Sequence, residues 1–297
     1  MIVCLDKRLE ALVELDEKPE RIATGFRFTE GPLWDSRDQS LLFCDTRGHR
    51  LHRWTEAGGD SVFRENSNSA SGNTFDPQGR LLTCESRISK RVTRTNPDGS
   101  IEPLVTHFGS AHLSSPNDLV CLANGDLIFT DPPFGLGHSD GSVDPRETDC
   151  NGVYRFSKGE VEHLACLEAP NGLVVRDGCR ELLVADTRDH KVQAYDISTR
   201  GETRDLGIFV DVTYGDKTGH PDGMKLDSQG NLYVAANTDE GLWVYSPDGT
   251  LLGFIGFDER PANCAWGGED WQTLFVTAQT SVYRIRMKVK GQQLNPA

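Results

Sequence analysis

The feature of this sequence that most constrains its fold is an internal repeat of about 40 to 50 residues. Six strand-like segments open on a related motif, in which a polar residue stands beside small or cyclic neighbours. The six motifs are Glu30-Gly31-Pro32, Gly72-Asn73-Thr74, Pro116-Asn117-Asp118, Pro170-Asn171-Gly172, Pro221-Asp222-Gly223 and Ala262-Asn263-Cys264. Their polar residues are 43, 44, 54, 51 and 41 residues apart. A repeat of this length with about four short strands is typical of one β-propeller blade.

The local pattern of each unit indicates an all-β chain. A turn rich in Gly, Asp and Asn precedes a short apolar run, and a second strand-like run follows. Helical periodicity is nearly absent, apart from one short amphipathic run at residues 7–13. We therefore predict one domain over residues 1–297, a six-bladed β-propeller with four-stranded antiparallel blades around a central channel. Two stacked sandwiches would not explain six units in register.

The ring of blades needs a device that closes it. The sixth unit ends near Met287, which is too early to include a full outer strand. We expect the N-terminal segment LEALVELDE, residues 9–17, to supply that strand by pairing the first part of the chain with the last. Such closure removes the exposed sheet edges that a radial array must otherwise protect.

The composition narrows the possible partners. The chain has 297 residues, of which 37% are hydrophobic and 26% charged, so it can build a substantial core. Its 31 basic and 45 acidic residues give a net charge of −14, which disfavours a nucleic-acid-binding surface. The acidic balance suits inward carboxylates that hold a cation, and it equally suits a charge that keeps the protein soluble.

The sequence also bears on location and assembly. The first twenty residues contain no apolar run of signal-peptide length. No stretch approaches the roughly 18 apolar residues of a membrane span. We therefore expect a cytoplasmic protein that binds no membrane and is a monomer or a small homo-oligomer.

Eight cysteines are scattered through the chain, and none forms a C-x-x-C pair. Most lie in strand-like runs such as LLFC and LLTC. In a cytosolic chain we expect them to be small buried hydrophobic residues rather than disulfides or zinc ligands. They are Cys4, Cys44, Cys84, Cys121, Cys150, Cys166, Cys179 and Cys264.

The polar residues of the repeat suggest a metal site. In a propeller the innermost strand of each blade runs along the central channel, so the residues that open these strands should face the axis at one height. They are Glu30, Asn73, Asn117, Asn171, Asp222 and Asn263. Two carboxylates buried among amides need compensation, and carboxylate and amide oxygens favour a hard divalent ion. Ca²⁺ is our first expectation, with Mg²⁺, Mn²⁺ or Zn²⁺ as alternatives. Taken singly, each residue is an ordinary turn former, and only the repetition favours a site.

Five longer motifs carry a resemblance to a known family. They are TEGPLWD at 29–35, SPNDLV at 115–120, FTDPPFG at 129–135, PNGLV at 170–174 and HPDGMKLDSQGNLYVA at 220–235. Through them the chain resembles the gluconolactonase, senescence-marker-protein-30 and luciferin-regenerating-enzyme family of six-bladed propellers, from about residue 25 to 287. FTDPPFG points toward the bacterial gluconolactonase-like branch.

The resemblance implies a catalytic metal and a base. It places one metal ion between Glu30, Asn171 and Asp222, with Asn117 in or next to the coordination shell. It also makes Asp222 the proton donor and acceptor. Relatives often carry R-L-N-S-P-N-D, where Arg and Asn help to hold substrate, whereas this chain has HLSSPND at 112–118. We expect substrate contacts from residues in or beside the motifs, namely Asn73, His112, Ser115, Asn117, Asp131 and His220.

These observations predict a metal-dependent hydrolase that opens a small sugar lactone. The cation would polarise the ester carbonyl, and Asp222 would serve as general base and then as general acid. A phosphotriester hydrolase using the same site is one alternative, and a non-catalytic calcium-binding propeller is another. The serines lie outside any G-x-S-x-G motif, so a serine hydrolase has no support.

Overall fold

The computed structural model describes residues 1–138 and 140–294. Over these residues the chain forms six sheets of four or five antiparallel strands and two small two-stranded sheets. Successive sheets pack side by side around a common axis, which confirms the predicted six-bladed β-propeller. Within the described part of the chain, no helix is long and apolar enough to cross a membrane.

The N-terminal segment and the first three blades follow in chain order. The segment has strand β1 (Ile2–Cys4), a short 3-10 helix (Lys7–Ala11) and β2 (Glu20–Thr24). The first blade has β3 (Thr29–Asp35), β4 (Ser40–Asp45), β5 (Arg50–Thr55) and β6 (Gly59–Arg64). The second has β7 (Ala70–Phe75), β8 (Leu81–Glu85), β9 (Arg91–Thr95) and β10 (Ile101–Val105), and the hairpin β11 (His107–Phe108) and β12 (Ala111–His112) follows. The third has β13 (Leu119–Cys121), β14 (Leu127–Asp131), a 3-10 turn (Pro133–Gly135), β15 (Asn151–Ser157) and β16 (Glu160–Leu167).

The last three blades complete the ring. The fourth has β17 (Pro170–Arg176), β18 (Glu181–Asp186), β19 (Lys191–Thr199) and β20 (Glu202–Asp211), and the hairpin β21 (Thr213–Tyr214) and β22 (Lys217–Thr218) follows. The fifth has β23 (Met224–Leu226), β24 (Leu232–Ala235), β25 (Leu242–Tyr245) and β26 (Leu251–Ile255). The sixth has β27 (Pro261–Gly267), β28 (Thr273–Ala278) and β29 (Ser281–Arg286).

An N-terminal strand closes the ring, as predicted, but the strand is not the expected one. Strand β2 pairs with β29 and gives the sixth blade its fourth strand, while β1 pairs with β26 and extends the fifth. The expected segment at residues 9–17 begins in the 3-10 helix instead. Its Leu9, Leu12 and Val13 are buried in the core shared by the fifth and sixth blades. This amphipathic run therefore packs against the two blades as a short helix and does not form a strand.

The apolar core lies between blades, because each sheet is buried on both faces by its neighbours. Trp34 of the first blade stacks on Phe275 of the sixth, with ring centroids 5.1 Å apart. Tyr233 and Trp266 meet edge to face between the fifth and sixth blades at 5.1 Å. Each such fully buried large side chain contributes about 1.5–3 kcal/mol through removal of apolar surface from water. The blades are therefore held rigidly around the axis.

Close backbone contacts join the inner strands at one end of the channel. The N–H groups of Gly72, Gly172 and Gly223 donate to the carbonyl that opens the next inner strand, at 2.7, 3.2 and 2.8 Å. At Gly172 an added Cβ would lie 2.3 Å from the Asp222 carbonyl oxygen. Glycine is needed here because any side chain would push neighbouring blades apart. These contacts draw the residues beside the glycines toward the axis.

Four cysteines match the expectation of buried hydrophobic residues, namely Cys44, Cys84, Cys121 and Cys264. The expectation is wrong for Cys150 and Cys166, which form a disulfide with Cα atoms 5.8 Å apart. Strand pairing explains it, because Gly152 of β15 lies opposite Cys166 of β16 and Cys150 stands just before β15. A hairpin thus joins two cysteines that are 16 residues apart in the chain.

Candidate active site on the propeller axis

Strand register decides which residues open the inner strands at the axis. In four blades the inner strand begins with a residue that pairs across to the last residue of the second strand. These cross-strand pairs are Thr29 with Asp45, Ala70 with Glu85, Pro170 with Asp186 and Pro261 with Ala278. The next residues are Glu30, Ser71, Asn171 and Ala262. The predicted alignment of six polar residues is therefore wrong for Asn73 and Asn263, which lie two residues and one residue further along. A β-bulge follows the opening of each of these strands, so the motif spacing does not keep strict register.

Glu30 lies on the axis and is only 5% exposed. Its Oε2 accepts a hydrogen bond from the Gly31 N–H at 2.9 Å and another from Asn263 Nδ2 at 3.1 Å. Asn263 therefore touches the site although it is out of register. Its own Oδ1 accepts the N–H of Cys264 at 2.8 Å, which fixes the amide orientation.

Asp222 and Asn171 form the opposite part of the site. Both are nearly buried, at 9% and 4% exposure. Asn171 Nδ2 donates to Thr187 Oγ1 at 3.0 Å, and that hydroxyl donates to the Pro221 carbonyl at 2.7 Å. Asn171 is also within hydrogen-bonding reach of the Asp222 carboxylate, and Glu30 is close enough to repel it. The structure thus brings together Glu30, Asn171 and Asp222.

Asp118 is a third buried carboxylate at the axis, and the motifs alone do not identify it. It is 3% exposed and stands where the other motifs place glycine, such as Gly31 and Gly172. Its Oδ1 accepts the Leu119 N–H at 2.9 Å. Leu173 N–H and the Asn263 amide approach this carboxylate and lower its pKa, but its buried Oδ2 completes no hydrogen bond among the described residues. A buried carboxylate oxygen without a partner is costly, so it marks a place where a cation or a proton is needed.

Lys225 is a second charged residue that the motifs did not reveal. It follows Asp222 by three residues on the inner strand of the fifth blade, and its Nζ donates to the Met224 carbonyl at 2.9 Å. Its ammonium group interacts favourably with both Glu30 and Asp118. One internal cation therefore offsets part of a charge of three carboxylates.

The pKa values of all three carboxyls are raised, although Lys225 offsets part of their charge. Burial raises the pKa of Glu30 from 4.5 to about 7, against hydrogen bonds from Gly31 and Asn263 that lower it. Burial also raises the pKa of Asp118, and it raises that of Asp222 well above its ordinary range, with the Glu30 charge adding to the effect. Hard oxygen donors whose ionised forms are destabilised by burial fit a divalent cation, which would replace the protons.

These pKa shifts predict how the metal-free protein responds to pH. A carboxyl whose pKa is raised on folding stabilises the fold below its unfolded pKa and loses that contribution as pH rises through the folded value. For Glu30 the window runs from about pH 4.5 to about 7, and the loss is about 3 kcal/mol. We expect the chelated protein to melt at lower temperature at pH 8 than at pH 5. Added Ca²⁺ should reverse this at pH 8 and do little at pH 5, as differential scanning calorimetry can measure. An equal Ca²⁺ effect at both pH values would contradict the prediction.

Asp131 occupies a different kind of site from the predicted substrate contact. Its carboxylate is fully buried and accepts the N–H groups of Ser114 and Ser115 at 2.9 and 2.6 Å. Burial raises its pKa to about 6, and these two hydrogen bonds oppose the rise. Asp45 and Asp186 accept backbone N–H groups in the same way before β3 and β17. Asp131 thus belongs to a repeated clamp that holds the chain entering an inner strand.

The clamp gives a stability prediction. Asp131→Ala would leave the two buried N–H groups unpaired, at a cost of roughly 2–5 kcal/mol in the free energy of unfolding. The control is Asp98→Ala, which removes an exposed turn carboxylate and should change stability far less. Urea unfolding of both variants measures the difference. A variant of Asp131 that folds as stably as the wild type but loses activity would instead place this carboxylate in substrate binding.

The other predicted substrate contacts differ in how far they are buried and in what they touch. Asn117 is half-buried and opens the third blade beside Asp118, and the hydroxyl of Ser115 is buried without a hydrogen-bond partner in the described chain. His112 is exposed, and its N–H donates to Glu147 at 2.9 Å. His220 packs edge to face on His190 at 4.6 Å, next to the Pro221-Asp222 pair.

Asn73 is held between two blades rather than in the acidic cluster. Its Nδ2 donates to the Gly31 carbonyl at 2.8 Å, and its Oδ1 accepts the Thr83 hydroxyl at 2.9 Å. The amide therefore joins the first and second blades. A pattern of three polar-Gly motifs could have identified the discrepancy, because Gly72 stands before Asn73 and not after it.

Comparison with known proteins agrees with this architecture and with the resemblance seen in the motifs. Residues 28–280 match the family model described as SMP-30/Gluconolactonase/LRE-like region. A gluconolactonase from Zymomonas mobilis is 33% identical, over 96% of this chain and 85% of that protein. A 6-deoxy-6-sulfogluconolactonase from Pseudomonas putida is 31% identical, over 84% of this chain and 82% of its own.

The solved structure of a gluconolactonase from Xanthomonas campestris has the same fold. It superposes with a TM-score of 0.87 at 29% sequence identity, over 96% of this chain and 94% of that one. The matched region holds every inner strand from β3 to β27. This chain therefore belongs to the SMP-30/gluconolactonase/LRE-like family.

Proposed function

We propose that this protein is a divalent-metal-dependent hydrolase that opens a small sugar lactone at the axis of the propeller. The observation that carries the proposal is the group of three buried carboxylates, Glu30, Asp118 and Asp222, whose charge the single ammonium group of Lys225 offsets only in part. Because the pKa values of all three carboxyls stay raised despite Lys225, full ionisation near neutral pH needs a further cation beside them. The lactonase relatives supply the reaction class, and the axial site supplies the residues for it.

The residues proposed to hold the ion are Glu30, Asn117, Asn171 and Asp222. Thr187 orients the amide of Asn171 so that its carbonyl oxygen is left as the donor to a metal. Oxygen donors without His or Cys favour Ca²⁺, with Mg²⁺, Mn²⁺ or Zn²⁺ as possible substitutes. When bound, the ion would supply Lewis-acid polarisation of the ester carbonyl and stabilisation of the developing oxyanion.

Asp222 is the proposed general base. It takes a proton from the attacking water and returns it to the ring oxygen that leaves when the ester bond breaks. The neighbouring Glu30 charge and burial both favour proton uptake by Asp222, and the hydrogen bond from Asn171 opposes it and orients the carboxylate. The leaving group stays tethered to the sugar, so a weak acid suffices for its protonation. The hydroxy acid that forms then ionises and releases one proton to solvent.

The proposed substrate contacts are residues in or beside the motifs of the third and fifth blades. Ser115 has a buried hydroxyl that lacks a partner, so a sugar hydroxyl that reached it would satisfy a polar group already removed from water. Asn117, His112 and His220 are the further hydrogen-bonding groups proposed to contact the sugar. His112 and Ser114 stand where relatives often carry the Arg and Asn that help to hold their sugars, so they are the proposed determinants of lactone choice.

A screen of substrates tests the proposal. The chelated protein, reloaded with Ca²⁺, is assayed by a pH indicator against glucono-δ-lactone, five-carbon sugar lactones and a phosphotriester. We expect saturable opening of one or more sugar lactones and far slower phosphotriester cleavage. Preference for the phosphotriester would favour the alternative hydrolase. Stoichiometric ion binding with no turnover of any ester would favour a non-catalytic calcium-binding propeller.

A further inference from the structure

A second cluster of metal-ligating side chains lies on the two outer strands of the third blade. Cys150, His163 and Cys166 each offer one ligand atom, and the three atoms lie within 4.8 Å of one another. No other group of three His, Cys, Asp or Glu side chains in the described part of the chain has its ligand atoms this close together. The cluster contains sulfur and nitrogen donors, whereas the axial site is built from oxygen donors.

A β-bulge in β16 places His163 and Cys166 on the same face. Residues three apart in a regular strand point to opposite faces. Here the pairing of β15 with β16 shifts between Val153 and Tyr154, so that Tyr154 lies opposite His163 and Gly152 lies opposite Cys166. The extra residue, Leu164, is buried, while His163 and Cys166 are both exposed. The fold therefore brings together two ligands that a regular strand would separate.

The imidazole of His163 is held against the blade by aromatic neighbours. Its ring lies edge to face on Tyr154 with centroids 5.5 Å apart, and Phe108 is 6.1 Å away. Partial burial lowers the pKa of His163, against a hydrogen bond with the backbone of Ala165 that raises it. These neighbours hold the ring with its Nε2 facing the sulfurs of Cys150 and Cys166.

We propose that Cys150, His163 and Cys166 form a redox-gated site for a thiophilic divalent cation such as Zn²⁺, in which the disulfide is the alternative metal-free state. Neither state involves the axial residues, so the inference does not depend on the proposed lactonase activity. In a reducing compartment, where disulfides rarely persist, the two thiols are available as ligands. The fourth position of the ion is left to water or to an incoming ligand.

The observed distances suit this ion. Zn–S bonds of about 2.3 Å and Zn–N bonds of about 2.0–2.1 Å in a tetrahedral site place sulfur and nitrogen about 3.6 Å apart, and two sulfurs about 3.8 Å apart. His163 Nε2 is already 3.5 Å from Cys150 Sγ and 3.4 Å from Cys166 Sγ. Only the two sulfurs must separate once the bond between them is broken. Their backbones need little change, because the Cα atoms are 5.8 Å apart.

The chemistry of the switch balances without an unnamed reactant. A dithiol reductant gives two electrons and two protons to the disulfide, which yields the two thiols of Cys150 and Cys166 and the oxidised dithiol. Binding of Zn²⁺ then displaces one proton from each thiol, while the neutral imidazole binds through Nε2. Reoxidation by a disulfide reagent would reverse the first step and release the ion.

Cobalt provides the test, because Co²⁺ bound by thiolates shows a sulfur-to-metal charge-transfer absorption. The full-length protein is reduced with a phosphine, freed of reductant without air, and titrated with Co²⁺ in excess Ca²⁺. We expect the absorption to reach its limit at one Co²⁺ per chain and to vanish when Zn²⁺ is added. The unreduced protein should show none. A reduced protein whose two extra thiols are verified by titration but which shows no such absorption would overturn the proposal.

Matched variants locate the absorption on these residues. We expect Cys166→Ser to abolish it and His163→Ala to weaken Co²⁺ binding by at least about 100-fold, since loss of even an outer-shell partner costs about 10–100-fold. Cys179→Ser, at a half-buried cysteine of the fourth blade, and Glu30→Gln, at the axis, should leave it unchanged. Retention of the absorption in both Cys150→Ser and Cys166→Ser would contradict the assignment.

Discussion

Asp222→Asn should lower kcat for lactone opening by about 10²–10⁴-fold, the range that general acid–base catalysis contributes. Asparagine keeps the shape of the side chain and an oxygen donor, but it cannot accept the proton of the attacking water. Because Asp222 is buried between Glu30 and Asn171, removal of its charge should also raise the stability of the metal-free protein at pH 8. Proton release from the lactone measures the rate, and thermal unfolding measures the stability.

The control for this variant is Asp227→Asn on the same blade. Asp227 is also buried, but it accepts hydrogen bonds from Asn231 and Tyr233 in a turn after β23. That substitution should lower stability and leave kcat near the wild-type value. If Asp222→Asn bound its ion and turned over within about 10-fold of the wild type, the base would have to be another group.

Glu30→Gln should weaken binding of the divalent ion by at least about 100-fold, because it removes one of the formal charges that hold the ion and places an amide beside the donating Asn263. Activity at low Ca²⁺ should fall with occupancy and recover in part at high Ca²⁺. A base variant would show no such recovery, so the metal dependence of the rate separates this residue from Asp222.

Glu85→Gln is the matched control for Glu30. Glu85 is 1% exposed and lies off the axis at the end of β8, where Arg91 and Asn68 donate to it. It should cost stability without changing Ca²⁺ affinity. Equal loss of ion affinity in both variants would mean that the effect comes from general damage to the fold.

The fold was predictable because the blade is a repeated unit, and a period survives even where single motifs vary. The period does not specify local register. The residues that face the axis depend on β-bulges just after each strand begins, and no sequence signal marks the extra residue. The motifs therefore align Asn73 and Asn263 with Glu30, although Ser71 and Ala262 hold that position in their blades.

The axial carboxylates show which part of the site a motif can reveal. Glu30, Asn171 and Asp222 each stand before a glycine, and that shared pattern identifies them. Asp118 stands in place of the glycine, so a pattern that seeks the residue before glycine passes over it. Lys225 lies three residues after Asp222 and acts on Glu30 and Asp118 through charge interactions, which sequence spacing does not encode.

The identity of the closing strand and the presence of the disulfide could not be predicted, because both depend on which segments lie next to each other in the fold. The run at residues 9–17 has apolar residues that suit either a strand or a short helix, and burial against the fifth and sixth blades selects the helix. Cys150 and Cys166 meet only because β15 and β16 form a hairpin in one particular register. Both outcomes required knowledge of the neighbours in space, whereas the buried cysteines could be recognised from their apolar runs alone.

The most direct test of the account is a Ca²⁺ titration of the chelated wild-type protein in which ion binding and lactone opening are followed in the same samples. Calorimetry reports the number of ions bound, and a pH indicator reports the rate. We expect one ion per chain at the axis, with a rate that rises in proportion to occupancy from a background at least about 100-fold lower. Full turnover by protein shown by mass spectrometry to be metal-free would contradict it.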